Sequence, residues 1–369
     1  MRVIFAGGGT GGHLYPGLAI ARALVQARPQ VEPFFVGAER GIEREVLPNA
    51  EFPFLLLDLH PLHRQSPWKN WRTLVSAFSV WRRIGQLIKE EPPALVVGTG
   101  GYASGLMLEY VRRRKIPIVQ QVGDSYPGIT ARRYARDCVE IYLTFPEAGR
   151  YLRVARPSVL VDTGAPIDPP TSDGLSRGTA RAKWGFPRDG GQVVLVYGGS
   201  QGAQAINRAV AGWINQGLPD DVYLIWMTGK ATFREFSTYE SPRICVREYL
   251  SPIADAYAAA DLAVARAGSM TTSELFAWGI PSILIPLPSA AAHHQTANAA
   301  TLEYAGAAIH VPQQNLSGPA LHDLIGGLLA DPARLRALAA GATRRARPHA
   351  AETIAQRILG IIDHTQPRP

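Results

Sequence analysis

Short apolar, β-branched runs alternate with amphipathic stretches along nearly the whole chain, the pattern of parallel strands covered on both faces by helices. The first set of expected strands is Val3 to Ala6, Pro33 to Gly37, Phe54 to Leu57, Ala94 to Gly98, Ile116 to Gln120 and Glu140 to Thr144. Asp168-Pro-Pro-Thr-Ser-Asp-Gly174 interrupts with linker chemistry. Five more strands are then expected, at Val193 to Tyr197, Val222 to Met227, Arg243 to Val246, Leu262 to Ala265 and Ser282 to Pro286. The pattern predicts an α/β chain of two nucleotide-fold halves, each opening with strand, glycine-rich turn and helix. No short-period repeat or low-complexity tract breaks it.

Composition narrows the class. With 369 residues, 46% hydrophobic and 18% charged, the chain has material for two cored domains. Cys138 and Cys245 are its two cysteines and lie far apart in sequence, which argues against a disulfide framework and for a reducing cytoplasm. No apolar run approaches the length of a membrane span or a signal peptide, so a soluble intracellular protein is expected. A formal charge of +8 and a pI near 9.6 favour an anionic partner: nucleic acid, a phosphorylated metabolite or an anionic membrane surface.

Two turns carry candidate chemistry. Gly7-Gly-Gly-Thr-Gly-Gly-His13 runs from the first strand into a helix. Backbone without Cβ atoms approaches a ligand closely there, and the first helical amides point outward with the positive end of the helix dipole behind them. His13 stands at that mouth, where an imidazole can exchange a proton with a bound hydroxyl. Gly198-Gly-Ser-Gln-Gly202 repeats the design in the second half. One such turn is compatible with a dinucleotide dehydrogenase, for which Glu39 would serve as the ribose-binding acid. Two turns, one with a histidine inside it, favour a ligand held between two domains.

A third segment, Ala265-Arg-Ala-Gly-Ser-Met-Thr-Thr-Ser-Glu274, reads as strand, turn and helix. The amides after Gly268 suit a pyrophosphate, and the Glu274 carboxylate suits a ribose diol. Taken alone, the same residues read better as a capping box of Thr271 and Glu274. The adjacent His293 and His294 cannot share one helical face and lack a third ligand, so no metal site is expected.

Together these motifs resemble the MurG family, transferases that move N-acetylglucosamine from a uridine diphosphate donor to a lipid-linked muramyl pentapeptide in peptidoglycan precursor synthesis. The matching landmarks are Gly8 to His13 with Pro16 to Ala19, Gly37 to Gly41, Gly98 to Gly105, Pro127 to Thr130, Gly198 to Ala203 with Asn207, Arg266 to Ser269 with Ser273 and Glu274, and His294, Gln295 and Asn298. The resemblance implies a GT-B fold, two Rossmann-like doubly wound domains facing across a cleft. It also implies inverting, metal-independent transfer with no cofactor beyond the UDP-sugar co-substrate. The expected domains are an acceptor and membrane-side domain over 1–163, a nucleotide-sugar domain over 164–345, and a segment 346–369 whose helix returns to the first.

By position, the resemblance gives the donor Ser200, Gln201, Gly202, Leu250, Ser269, Met270, Thr271, Thr272, Ser273, Glu274 and Gln295. Thr10, Gly11 and Gly12 close the donor site from the other side, with Asp124 and Asp168 included. Gly100, Gly101 and Tyr102 fall to the acceptor, and His13 either handles the proton at the attacking hydroxyl or orients the acceptor. Two stretches depart from the family. Gln121-Val122-Gly123-Asp124 replaces the usual His-Glu-Gln-Asn, and Ala165-Pro166-Ile167-Asp168 replaces Asn-Pro-Val-Arg, exchanging a cation expected near the donor for an anion. They leave open a related transferase with another donor or acceptor, or a nucleotide-sugar binder without turnover.

Ser66 to Arg83 reads as a helix capped by Ser66 with Pro67 at its first position. Trp68, Trp71, Leu74, Val75, Phe78 and Trp81 fall on one broad face beside Lys69, Arg72, Arg82 and Arg83, the composition of an anchor on an anionic membrane surface. The plainer reading is the buried side of a packed helix. The anchor reading puts the protein peripherally on the inner face of the cell membrane. Nucleic acid is not an expected partner, since zinc spacing, an RNA-recognition signature and a long basic helix are all missing from the sequence.

Overall fold

The computed structural model describes residues 1–59, 71–170, 175–199 and 201–365, with backbone alone for 71–76. The chain divides into two units, one of Met1–Asp168 with His349–Pro369, the other of Pro169–Pro348. The divisions fall a few residues later than the sequence boundaries at 163 and 345.

Among its described residues the first unit holds seven strands: β1 (Arg2–Gly7), β2 (Glu32–Ala38), β3 (Phe54–Leu57), β4 (Leu95–Gly100), β5 (Ile118–Val122), β6 (Glu140–Leu143) and β7 (Leu160–Asp162). All pair in parallel, in the order β3-β2-β1-β4-β5-β6-β7. Because side chains alternate, Val3 and Phe5 enter one core with Leu95, Val97 and Val119, while Ile4 and Ala6 enter the other with Val96 and Ile118. Both faces are therefore apolar, and the strands read as unbroken hydrophobic runs. The first core is covered by helices Gly11–Ala27 and Ala350–Thr365, the latter burying Ile354, Ile358 and Ile362. Two exposed ion pairs fasten its rim, Arg28 to Asp363 at 2.7 Å and Arg357 to Glu140 at 2.5 Å.

The second unit has β8 (Gln192–Tyr197), β9 (Val222–Met227), β10 (Ile244–Arg247), β11 (Leu262–Ala265), β12 (Ser282–Leu284) and β13 (Ile309–His310), all parallel in the order β10-β9-β8-β11-β12-β13. Strand order reverses between β1 and β4 in one unit and between β8 and β11 in the other. Crossovers diverge at these points, opening a crevice beyond the carboxyl ends of the strands, where open α/β sheets bind ligands. The glycine turns follow β1, β4, β8 and β11.

Candidate functional site

In the first unit the turn after β1 is built around Glu43, a side chain with no exposed surface. Its Oε1 accepts hydrogen bonds from the amides of Gly9 at 2.9 Å and Ala38 at 3.1 Å, so one carboxylate ties the turn to the end of β2. Gly8 has φ +145°, and a Cβ there would lie 1.7 Å from Glu43 Oε1. Sequence reasoning missed Glu43, which lies just beyond the Gly37–Gly41 landmark and 34 residues from the amide of Gly9.

Thr10 is the N-cap of the Gly11–Ala27 helix in extended backbone, and its side chain makes no capping bond. Its hydroxyl instead lies 3.1 Å from His13 Nδ1. The His13 ring rests against the turn after β4: Gly100 has φ +101°, and a Cβ there would come within 2.7 Å of His13 Cδ2. Ser104 and Thr130 both donate to the Gly101 carbonyl, at 3.0 and 3.2 Å, fixing that turn from two helices. The family landmarks at Ser104 and Thr130 thus hold the backbone against which His13 packs. Tyr102 stands beside Gly9, and burial, with the charge of Glu43, pushes its phenol pKa up. Gly12 is exposed, Gly11 half-buried.

Asp124, half-buried after β5, and the exposed Asp168 both belong to this unit. The Asp168 charge favours the protonated form of Arg22, after the larger effect of the Arg22 hydrogen bond to Glu51. Glu39 lies 3.8 Å from Arg83.

In the second unit an open cleft of about 490 Å³ lies at the switch point, lined among others by Gln201, Gly202, Arg266, Gly268, Thr271 and Gln295. Ser200 lies outside the described residues. Two buried asparagines among the family landmarks hold the cleft's walls. Asn207 donates to the Thr228 carbonyl at 2.8 Å and accepts from Trp226 Nε1 at 3.0 Å, and Asn298 donates to the Ala267 carbonyl at 3.1 Å. Gln295 Oε1 accepts from the amide of Leu287 at 2.9 Å. Arg266 is nearly buried and donates to the carbonyls of Ile285 and Pro286 at 3.0 and 3.1 Å; burial lowers its pKa. A guanidinium keeps its charge even so, and here it stands beside the turn.

The Ser269–Ala277 helix corrects the capping-box reading. Its N-cap is Gly268, with no side-chain cap, so Thr271 is the third helical residue and Glu274 lies a turn further in. Glu274 Oε2 instead accepts a 2.7 Å hydrogen bond from the Tyr257 hydroxyl. A second correction concerns Thr272, which is 1% exposed and donates back to the Gly268 and Ser269 carbonyls, as Ser and Thr do inside helices. Its hydroxyl faces the helix, not the cleft. Met270 and Ser273 are half-buried, and Ser269 and Leu250 are buried. The amides of Ser269, Met270 and Thr271 precede the first intrahelical bond, that from Thr272 to Gly268, and make the anion-seeking end of the helix.

The proposed anchor divides. Trp68, with Ser66 and Pro67, lies outside the described residues, and the described helix starts at Trp71. Phe78 is 68% exposed. Trp81 is half-buried, packed edge-on to Tyr110 at 4.9 Å and under Arg113, beside the inward face of Val80 and Ile84. Trp81 therefore serves the core of the unit, since a helix of this amphipathicity must seat part of its apolar face on its own sheet. Among the described residues no helix is long and apolar enough to cross a membrane.

Two parallel sheets with glycine turns at both switch points define a protein of the GT-B glycosyltransferase class, and the chain belongs to glycosyltransferase family 28: residues 3–143 match its N-terminal domain and 193–356 its C-terminal domain. It is 37% identical over 367 residues to the UDP-N-acetylglucosamine–N-acetylmuramyl-(pentapeptide) pyrophosphoryl-undecaprenol N-acetylglucosamine transferase of Acetivibrio thermocellus, covering 98% of each chain. The transferase of the same name from Salinibacter ruber is 37% identical over 368 residues, covering 98% of this chain and 97% of the relative. The crystal structure of Acinetobacter baumannii MurG superposes with a TM-score of 0.77 at 24% identity, over 97% of this chain and 99% of that one, a likeness of fold. The family resemblance read from the motifs is borne out.

Proposed function

We propose that this chain transfers N-acetylglucosamine from a uridine diphosphate donor to the muramyl pentapeptide carried on pyrophosphoryl-undecaprenol. The observation that carries this reading is the end-to-end match to transferases of that activity. The local chemistry agrees with it. The second unit takes the nucleotide, with Glu274 at the ribose, the amides after Gly268 at the diphosphate and Gln295 at the sugar; the first unit takes the acceptor.

Inverting transfer has a balanced course. The acceptor hydroxyl gives its proton to His13 as its oxygen bonds the anomeric carbon, and the bond from that carbon to the phosphate oxygen breaks, its electron pair leaving with uridine diphosphate. A neutral histidine accepts at Nε2 when its proton is on Nδ1, and the Thr10 hydroxyl at 3.1 Å is an acceptor for that proton. Charge growing on the departing diphosphate is met by fixed helical amides and by Arg266, which lines the cleft of the second unit.

Release of uridine diphosphate is expected to require acceptor and to fall at least about tenfold in Glu274→Ala, the cost of a charge-assisted hydrogen bond. Unchanged donor affinity in that variant removes Glu274 from the ribose site.

A further inference from the structure

Two buried tyrosines join the candidate ribose carboxylate to the strand that carries the glycine turn. Tyr257, on the Ala254–Ala259 helix, and Tyr197, the last residue of β8, are each 3% exposed. The Tyr257 hydroxyl lies 2.7 Å from Glu274 Oε2 and 3.1 Å from the Tyr197 hydroxyl. Hydrogen counting fixes the direction. A phenol has one hydrogen and an ionised carboxylate none, so Tyr257 donates to Glu274 and accepts from Tyr197. Burial, together with the nearby Glu274 charge, raises both phenol pKa values, so the donors stay protonated over any working pH. The Trp278 ring, 6.1 Å from that of Tyr257, packs the same corner.

We propose that Tyr257 and Tyr197 are positioning residues that set the Glu274 carboxylate to receive both hydroxyls of a ribose, making the site selective for ribonucleotides over 2′-deoxyribonucleotides. The inference rests on the reading of Glu274 as the ribose ligand. A glutamate side chain has several rotatable bonds, and a carboxylate meets two neighbouring hydroxyls only in one plane. The donor behind Oε2 holds that plane before the nucleotide arrives, and the relay ties it to the end of β8, where the glycine turn at 198–202 begins. Buried aromatic packing behind the carboxylate, with Tyr197 and Tyr257 each 3% exposed, also limits the access of water to that oxygen.

The test is calorimetric titration of the full chain with uridine diphosphate and with 2′-deoxyuridine diphosphate, reading the ratio of the two affinities. Tyr257→Phe keeps the ring and is expected to reduce the wild-type preference about fivefold to tenfold, the size of one charge-assisted hydrogen bond. A tyrosine needed only for packing would weaken both ligands alike and leave the ratio alone. Three outcomes decide. Loss of the preference in both Glu274→Ala and Tyr257→Phe supports the proposal. Loss in Glu274→Ala with a wild-type ratio in Tyr257→Phe overturns the positioning role and leaves Glu274 at the ribose. Retention of the preference in Glu274→Ala overturns the ribose reading and the inference with it. If Tyr257→Phe does not fold, Tyr197→Phe removes only the outer hydroxyl; a smaller loss of preference supports the relay, and an unchanged ratio overturns it.

Discussion

Glu43 shows how much of the first unit's turn depends on one buried carboxylate. Replacing it with Ala removes the acceptor shared by the amides of Gly9 and Ala38. The buried Ala38 amide left unsatisfied costs about 1–3 kcal/mol, and the part-buried Gly9 amide costs less because water reaches it. Glu43→Ala is therefore expected to destabilise the first unit by at least about 1 kcal/mol, read by urea unfolding. A midpoint within error of wild type would show that the turn holds itself. Neither Glu43 nor the tyrosine pair was legible in the sequence, because their partners lie 34, 17 and 60 residues away and no local periodicity links such positions. His13 and the glycine turns were legible, since each sits inside a contiguous motif at the end of a strand, and Gln295 was legible through the family landmark at His294, Gln295 and Asn298. Glu274 was legible as a residue but not by its partner.

Among the elements, strands flanked by turn residues were read with little error. β3, β9 and β11 have the bounds their apolar runs suggest. The edge strands β7 and β13 were missed because three and two residues, respectively, are too few to show alternation. The helix Ser104–Arg113 yields a prediction of its own. Hydrogen bonds from Arg112 and Arg113 near its C-terminal end hold the Glu109 carboxyl at about 2, below its ordinary 4.5. A carboxylate depressed on folding contributes stability in full above its ordinary pKa and loses it as pH falls toward the folded value. Between pH 4.5 and about 2, Glu109→Gln should show a shallower loss of stability than wild type in acid titration followed by circular dichroism. Identical acid limbs would contradict the pairing.

For the whole molecule, the two parallel α/β halves followed from the apolar runs and the glycine turns, because strands buried on both faces leave a strong compositional trace, while the doubly wound arrangement followed from the family resemblance. The division of labour between the two units is the proposal built on that frame. A lipid-linked acceptor calls for a membrane-facing surface, and Phe78, 68% exposed with the exposed Arg82 and Arg83 beside it, is the described residue best suited to it. Phe78→Glu is expected to weaken sedimentation with anionic vesicles at least about threefold, since it removes buried apolar area and adds a repelled charge. Unchanged sedimentation would exclude this helix as the contact.

The central claim is tested most directly by incubating the chain with UDP-N-acetylglucosamine radiolabelled in the sugar and with N-acetylmuramyl-(pentapeptide) pyrophosphoryl-undecaprenol, then counting label in the lipid fraction against uridine diphosphate released. The account predicts label entering the lipid in equal measure with nucleotide released, and almost no release without acceptor. Release with no labelled lipid, or no release at all from a chain that binds the donor, would contradict it.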